Sequence, residues 1–367
     1  MSVINRKAFV KKAAFAAAGA ATLLNSCGQE KKTNGSPAVI SRKTFEWRMV
    51  TTWMPHFPVL GEGADKIAKD IEAMSGGRIK IHVFGGGELV PALETFEAVS
   101  QGVAQMGHSA SYYWAGKAPA SQLFTSVPFG MNTQQTYAWL YQGGGLELWR
   151  ELYSSFNMIP FPAGNTGGQM GGWFNKQINS IADLKGLKIR IPGIGAKIIT
   201  KAGGSAVLSP GGEIYTNLER GVIDATDWIG PYHDWLMGFH KIAKYYYYPS
   251  FAEPSGVVEL IVNKNAFEEL PADLQEIIKY VATSANVSML AEMEAKNSEY
   301  LLKIKNESKV QITRFPDDVM SAFKKYGNEA LNELTSEDSF SKKVLDSYNQ
   351  FHKRIKDWTD LSDKYFI

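Results

Sequence analysis

The sequence predicts an α/β protein of two lobes, with a ligand cleft between them and a long helical C-terminal tail. Strand-like and helix-like segments alternate along residues 45–114 and again along 167–225, which is the rhythm of an α/β sheet. Beyond Pro271 the pattern is helical almost to the end. The length of 367 residues allows two domains, each with a buried core.

The first α/β unit is predicted from period-two and period-3.6 patterns of apolar residues. Residues 75–77, Ser-Gly-Gly, end its first helix, because glycine disfavours helix continuation. The expected elements are strand 45–50, helix 55–74, strand 78–84, helix 91–102 and a strand leading to 109–114.

The second unit begins near Gly167, and its strands are shorter. Its expected elements are strand 171–175, turn 181–186, strand 187–191, helix 196–202, helix 212–220, strand 222–225 and the long apolar strand 257–262. We assign the first lobe to 43–164 plus 233–256, the second to 165–232 plus 257–316, and the C-terminal helices to 317–367.

The N-terminus is predicted to be an export signal that ends at a lipidation site. Four basic residues precede the apolar stretch 13–24, which is too short to span a bilayer comfortably. Leu24-Asn25-Ser26-Cys27 resembles a bacterial lipobox, and Cys27 is the only cysteine of the chain. We expect a signal peptide over 1–26, a lipid on Cys27 that anchors the protein to the membrane, and a flexible tether over 27–42. Removing 1–26 changes the net charge from +2 to −2.

Composition and motifs argue against several function classes. The small net charge and the lack of a basic stripe argue against nucleic-acid binding. None of the six histidines belongs to an H-E-x-x-H pair, and no G-x-S-x-G elbow or Walker loop occurs. His233-Asp234 is interpreted as a solvated turn, and tyrosines 245–248 as a packed connector between the lobes. The chain is therefore not expected to be an enzyme.

Two segments carry a family resemblance. Residues 183–190 read D-L-K-G-L-K-I-R, and residues 215–225 read Y-T-N-L-E-R-G-V-I-D-A. They resemble the substrate-binding proteins of tripartite ATP-independent periplasmic (TRAP) transporters, the DctP family, over nearly all of the chain after the signal. The resemblance implies a two-lobe periplasmic binding protein fold, an extracytoplasmic location and two transporter membrane subunits as partners.

Arg190 is the strongest candidate for holding a substrate. It ends a predicted strand, where α/β sheets place ligands. Its guanidinium can hold a carboxylate through two parallel hydrogen bonds. In the family an arginine at this place clamps the substrate carboxylate.

A narrower resemblance concerns Gly168–Trp173, Thr226–Trp228 and Phe251–Pro254, which are similar to the 2-oxo acid and lactate receptors of the family. It implies a metal ion held by the side chain of Gln169, the backbone carbonyl of Trp228 and the carboxylate of Glu253, with Asp227 in or beside the site. Oxygen ligands favour sodium or calcium. With a monocarboxylate and Arg190 counted, calcium would neutralise the site, which mildly favours calcium.

Four further residues complete the predicted substrate site. Tyr112 and Tyr113 follow a first-lobe strand, where the family contacts ligand, while Trp53 and Asn217 are weaker candidates. The expected ligand is a small 2-oxo or 2-hydroxy monocarboxylate such as pyruvate or lactate. A larger acid, such as a sialic or uronic acid, and a structural envelope lipoprotein without ligand remain alternatives. The tail from 317 resembles a helix exchanged between protomers, so a homodimer is expected to be possible.

Overall fold

The structure is a computed structural model that describes residues 43–362 and 364. The predicted signal peptide, the lipidation site at Cys27 and the tether up to residue 42 lie outside the described residues. In the part of the chain that is described, no helix has both the length and the apolar character needed to cross a bilayer.

The first lobe is built on a five-stranded mixed sheet. Strand β1 (Phe45–Thr51) runs parallel to β2 (Ile79–Phe84) on one side and to β3 (Met106–Ser109) on the other. Strand β10 (Val257–Asn263) lies antiparallel between β3 and β4 (Met158–Asn165), and every residue of β10 is buried. The strand order is therefore β2-β1-β3-β10-β4, with β4 at an edge.

The second lobe is built on a six-stranded sheet with shorter strands. They are β5 (Gly172–Phe174), β6 (Lys188–Arg190), β7 (Ser205–Val207), β8 (Ala225–Thr226), β9 (Tyr245–Tyr248) and β11 (Gln311–Arg314). Their order is β11-β9-β5-β8-β6-β7, and β6 runs parallel to both of its neighbours. The carboxyl ends of these three parallel strands share one edge of the sheet, which places Arg190 and Thr226 side by side.

Two strands lie in the opposite lobe from the one predicted. From the sequence, residues 245–248 are assigned to the first lobe and 257–262 to the second. In the structure β9 pairs with β5 and β11 of the second sheet, while β10 pairs with β3 and β4 of the first. That part of the assignment is wrong, because the chain crosses between the lobes after β9 and not before it. Both segments are rich in residues that favour strands, but the local sequence does not indicate which sheet each strand joins.

Helices occur in the segments predicted to be helical, and five more occur, at 122–125, 133–142, 145–154, 231–236 and 264–268. Those of the first lobe are α1 (Gly61–Met74), α2 (Thr95–Ser100), α3 (Gln122–Thr125), α4 (Thr133–Gln142) and α5 (Gly145–Ser154). The later helices are α6 (Gly193–Lys201), α7 (Gly211–Glu219), α8 (Pro231–Leu236), α9 (Lys264–Glu268), α10 (Ala272–Glu307), α11 (Asp317–Glu337) and α12 (Ser339–Leu361).

Helix α10 spans both lobes. Its first half buries Leu274 and Ile278 in the apolar core beneath β1 and β10. Its second half buries Met293 and Ile304 in a core that also holds Trp173 of the second sheet. A helix of 36 residues is long enough to reach across a whole domain, so α10 connects the two halves as a rigid element.

The predicted C-terminal helices are present and pack on their own chain. Helix α11 buries Val319 and Phe323 in the core of the second lobe. Farther along, α11 and α12 bury apolar side chains in the first-lobe core around Trp139 and Trp149: Ala330, Leu331, Val344, Leu345, Tyr348 and Phe351. The Tyr348 hydroxyl accepts a hydrogen bond from the backbone N–H of Met131 at 2.5 Å. The tail thereby holds both lobes, and its exchange between protomers remains a prediction.

Candidate functional site

A cavity between the two lobes brings most of the predicted site residues together. Its interior is narrow, with a volume of about 10 Å³ open to the centre of a water-sized sphere. Six predicted residues line it: Trp53, Tyr112, Tyr113, Gln169, Trp228 and Glu253. The other lining residues are not among those predicted from the sequence; they are Leu60, Ala110, Thr125, Thr166, Ile229, Gly256, Val257 and Val258. The wall is mainly apolar and aromatic, with a few polar groups that can orient a ligand.

Gln169 and Glu253 come from the two segments that cross between the lobes, 166–171 and 249–256. These segments run side by side, since the Gln169 N–H donates to the Glu253 carbonyl (3.2 Å) and the Thr166 N–H to the Gly256 carbonyl (2.9 Å). The Gln169 side-chain Nε2 donates to Glu253 Oε2 (2.7 Å) and to Thr166 Oγ1 (3.0 Å). Residue 256 must be glycine, because a Cβ there would lie 2.3 Å from Thr166 Oγ1. Backbone and side chains together fix this part of the site.

Several buried oxygens of the site have no hydrogen-bond donor. The amide nitrogen of Gln169 is committed to two acceptors, and its Oε1 is buried without a partner. Asp227 Oδ2 is also buried and unpartnered. Among the hydrogen bonds of the described residues, none reaches the backbone carbonyl of Trp228. Folded proteins rarely leave buried acceptors unsatisfied, so this set of oxygens fits a bound cation.

The two acidic side chains of the site disfavour each other's charge. Burial raises the pKa of Asp227 to about 7, against the opposing effect of Arg190 and with a further increase from Asp234. Burial raises the pKa of Glu253 well above its usual range, and the neighbouring Asp227 adds to that effect. A hard cation would stabilise both ionised forms. The described residues contain no cluster of three or more His, Cys, Asp or Glu suited to a metal, so the neutral oxygens of Gln169 and Trp228 would be needed.

Arg190 ends β6, as predicted, and lies directly behind the cavity wall. It is 1% exposed. Its Nε donates to the Ser209 carbonyl (3.2 Å), its Nη1 to the Asp227 carbonyl (3.2 Å) and its Nη2 to the Tyr113 hydroxyl (3.3 Å). The last bond joins the second lobe to the first. The guanidinium also lies 5.3 Å from the ring centre of Trp228, within cation–π range.

The aromatic wall is held by the first lobe. The Tyr112 N–H donates to Thr125 Oγ1 (3.2 Å), which fixes the turn that follows β3. Burial raises the pKa of Tyr112 well above its usual range, and Glu253 adds to the increase. Trp53 Nε1 donates to Nδ1 of the buried His108 (2.9 Å). Tyr112, Tyr113 and Trp53 therefore present fixed rings to the cavity.

Three predicted site residues are not on the cavity wall. Arg190 bonds the Tyr113 hydroxyl and lies against the Trp228 ring, and the Asp227 carbonyl accepts from Arg190. Asn217 lies in the last turn of α7, and its backbone carbonyl accepts from the Val222 and Ile223 N–H groups to close the turn after that helix. Asn217 is thus not part of the cavity lining.

Two other interpretations of the sequence are corrected. His233-Asp234 is not a solvated turn, since both side chains are buried at the start of α8. His233 Nε2 lies 2.7 Å from the Pro58 carbonyl. The four tyrosines 245–248 form strand β9, which pairs on both sides, and are not a connector.

Residues 49–338 match the profile of the DctP family, described as bacterial extracellular solute-binding protein, family 7. One curated relative is a "monocarboxylate 2-oxoacid-binding periplasmic protein" of Nostoc sp. (strain PCC 7120). It is 43% identical over 348 residues, which are 95% of this chain and 94% of that protein.

Two solved structures of TRAP periplasmic solute-binding proteins are each 42% identical to the chain, with a TM-score of 0.86 and 88% of this chain covered. One, from Pseudoalteromonas atlantica T6c, is covered over 98% of its length and contains bound sodium and pyruvate. The other, from Colwellia psychrerythraea, is covered over 99% and contains bound calcium and pyruvate.

Proposed function

The chain belongs to family 7 of the bacterial extracellular solute-binding proteins, and on that premise we propose that it captures a small 2-oxo or 2-hydroxy monocarboxylate for a TRAP transporter. Membership makes it an extracytoplasmic transport receptor and not an enzyme, as the sequence predicts. In the proposal, pyruvate, another 2-oxo acid or lactate binds through a metal ion and Arg190, and two membrane subunits receive it.

The observation that carries the proposal is the set of unpartnered buried oxygens beside Glu253. Gln169 Oε1 and Asp227 Oδ2 have no donor, and both belong to the predicted cation ligands. We assign the ion to Gln169, Glu253 and the Trp228 carbonyl, with Asp227 in or beside the site. The ion would balance the buried carboxylates and attract the carboxylate of the substrate. Arg190 supplies the second positive charge from behind Tyr113.

The size and lining of the cavity favour a small acid over the larger alternatives. A sialic or uronic acid carries several hydroxyl groups, each of which needs a polar partner when it is buried. The cavity offers few such partners beyond Tyr112, Tyr113, Thr125 and Thr166. The apolar side chains of Leu60, Ala110 and Val258 suit a short acyl chain. A structural lipoprotein without ligand would not need unpartnered oxygens in a cavity between its lobes.

Calorimetry of acid binding at controlled ion composition tests the proposal. Because one ion touches both protein and acid, the two affinities must be coupled reciprocally. Chelating calcium, or replacing sodium with a bulky organic cation, should weaken pyruvate binding about tenfold or more, which is about 1.4 kcal/mol or more. Pyruvate should tighten the ion by the same factor. Acid affinity that stays constant across all ion conditions would contradict the metal-bridged site and leave a simple arginine clamp.

The same titrations distinguish the two ions. Restoration of pyruvate affinity by calcium at low concentration, in the presence of excess organic cation, would identify a calcium site. Restoration by sodium alone would identify a sodium site. Similar proteins that bind pyruvate have been observed with each ion, so the experiment needs both arms.

A lipid anchor at Cys27 and a homodimer complete the proposal. The lipobox motif supports the anchor, which would keep the receptor near its transporter. Cys27→Ser should move the protein from the membrane fraction to the soluble envelope fraction without a change in affinity. A wild-type protein that is already soluble after export would contradict the anchor.

For the homodimer, exposed apolar side chains such as Trp358 and Leu361 near the end of α12 offer a contact surface. Light scattering, which measures the molar mass in solution, tests whether the protein is a dimer.

A further inference from the structure

Asp234 is a buried carboxylate outside the cavity wall that has a complete set of donors. It is 1% exposed and lies in the first turn of α8. Its Oδ2 accepts from Trp173 Nε1 (2.8 Å) and from the Tyr246 hydroxyl (2.7 Å), and its Oδ1 accepts from the Ile229 N–H (3.2 Å). The rings of Trp173 and Tyr246 are stacked at 4.0 Å. The carboxylate is therefore fixed from one side by two rigid donors and holds a backbone N–H on the other.

The backbone that Asp234 holds is the segment that supplies the predicted cation ligands. Ile229 directly follows Asp227 and Trp228. The same residue also contacts the other ligand-bearing segment, since its carbonyl accepts from the Met170 N–H (3.0 Å), next to Gln169. A chain of hydrogen bonds thus runs from Trp173 and Tyr246 through Asp234 to Ile229, and from Ile229 to Met170. It joins the two stretches that carry Asp227, Trp228 and Gln169.

We propose that Asp234 is a positioning residue for the cation site: by holding the Ile229 N–H against the Trp173–Tyr246 pair, it sets where the Trp228 carbonyl and the Gln169 side chain stand. This role rests on the proposed cation site. Residues that orient metal ligands from behind contribute strongly to metal affinity, with a loss of about 10- to 100-fold when they are replaced.

The arrangement needs a carboxylate, and an asparagine of the same shape cannot replace it. Asp234 receives three N–H or O–H donors and has none of its own to offer when ionised. In Asp234→Asn, the NH₂ group must face either the Trp173 and Tyr246 donors or the Ile229 N–H. One side of the link is then lost, although the volume of the side chain is preserved.

Three variants test the role, with Tyr247→Phe as the matched control. Tyr246 and Tyr247 are neighbours on β9, both are fully buried, and both stack on an aromatic ring. The Tyr247 hydroxyl, however, bonds the backbone of Ile178, away from Asp234. Asp234→Asn and Tyr246→Phe break the link, while Tyr247→Phe removes a comparable buried hydroxyl elsewhere.

The first measurement is the calcium concentration that gives half of the maximal thermal stabilisation, at fixed pyruvate supplied as its choline salt, with a parallel sodium series. We expect this concentration to rise about 10-fold or more for Asp234→Asn, by a smaller factor for Tyr246→Phe, and not at all for Tyr247→Phe. The second measurement is amide hydrogen exchange at 227–230 and 169–170 without ion or acid. Exchange should be faster in Asp234→Asn and Tyr246→Phe than in Tyr247→Phe.

The possible outcomes separate this inference from the proposed function. If the wild-type protein shows no ion dependence, the cation site fails, and with it the role of Asp234. If the wild type responds to the ion and Asp234→Asn keeps the same midpoint, Asp234 is only structural. Should Asp234→Asn fail to fold, the comparison of Tyr246→Phe with Tyr247→Phe decides, and equal behaviour of these two variants overturns the role.

Discussion

Glu259 in the core of the first lobe and Glu253 in the cavity between the lobes are both buried carboxylates close in sequence, yet their surroundings differ. Glu259 Oε1 accepts from Trp114 Nε1 (2.6 Å), and its Oε2 accepts from the Tyr153 hydroxyl (2.9 Å). Glu253 has a single side-chain donor, Gln169, and lies near Asp227, whose Oδ2 has none. The fold can therefore satisfy a buried carboxylate with its own donors. Where it does not, in the cavity, the unsatisfied oxygens indicate a ligand.

The largest expected effect comes from removing the positive charge beside the cavity. Arg190→Ala should weaken pyruvate binding by about 2–4 kcal/mol, because the acid then lacks a charged partner in a buried site. Arg190→Lys should also bind poorly, since a point charge cannot replace the planar fork that bonds Ser209, Asp227 and Tyr113. Calorimetry gives the affinity, and a wild-type value for Arg190→Ala would remove this residue from the site.

The second prediction concerns the carboxylate without full partners. Glu253→Gln should reduce pyruvate affinity about tenfold or more, or about 1.4 kcal/mol or more, and should abolish most of the ion dependence. It removes a charged oxygen donor and keeps the shape. Without ligand the variant should be at least as stable as the wild type, because a buried like-charge interaction with Asp227 is lost. A variant that retains the full ion dependence in calorimetry would exclude Glu253 as a ligand.

The third prediction is that replacing Glu259 lowers stability and leaves pyruvate affinity unchanged, the opposite of what is expected at Glu253. Glu259→Gln should lower the free energy of unfolding by about 1–2 kcal/mol, since an NH₂ group at Tyr153 leaves that buried hydroxyl without its acceptor, and an NH₂ group at Trp114 faces a donor. Pyruvate affinity and its ion dependence should not change. Urea denaturation together with calorimetry measures both properties, and a loss of affinity comparable to that of Glu253→Gln would end the distinction between the two sites.

The last prediction is a pH dependence of the free energy of unfolding that comes from Glu259 alone, measured against Glu259→Gln. Burial raises the pKa of Glu259 from 4.5 to about 7, so the native state keeps a proton that the unfolded chain loses between these values. The stabilising effect of that proton is complete below pH 4.5 and is lost as the pH rises through about 7. The wild type should therefore lose stability relative to Glu259→Gln over this range. A stability difference that is flat from pH 4.5 to 8 would contradict the raised pKa.

The secondary structure could be predicted from the sequence where apolar residues recur with a clear strand or helix period. Strand β1 and helix α1 follow from alternation and helical spacing, but β4 was missed. Pro160 and Pro162 lie inside β4, and proline in a pattern argues against a strand. The strand tolerates them at the edge of its sheet, where only β10 pairs with it. The lobe assignment of β9 and β10 depends on long-range pairing, which local sequence does not encode.

The candidate site, too, could be predicted from the sequence only in part. Arg190 has a physical argument from sequence, because the end of a parallel strand is a ligand position in α/β sheets. Gln169, Trp228 and Glu253 are far apart in the sequence, and from the sequence only the family resemblance groups them. In the structure all three line the same cavity. The cavity's apolar residues could not be told from core residues, since both are buried. The role of Asp234 depends on hydrogen bonds to three separate segments, which no spacing reveals.

Helix α11 is a stiff link between the two lobes. Val319 and Phe323 are anchored in one lobe, and Ala330 and Leu331 in the other. Between the anchors lies Gly327, where a Cβ would come within 3.4 Å of Ile198 and 3.6 Å of Pro128, one from each lobe. Any separation of the lobes would have to pull one anchor from its core or bend the helix near this glycine, the residue that resists bending least. The helix therefore couples the two lobes across the cleft, and its stiffness would contribute to how long a bound acid is retained.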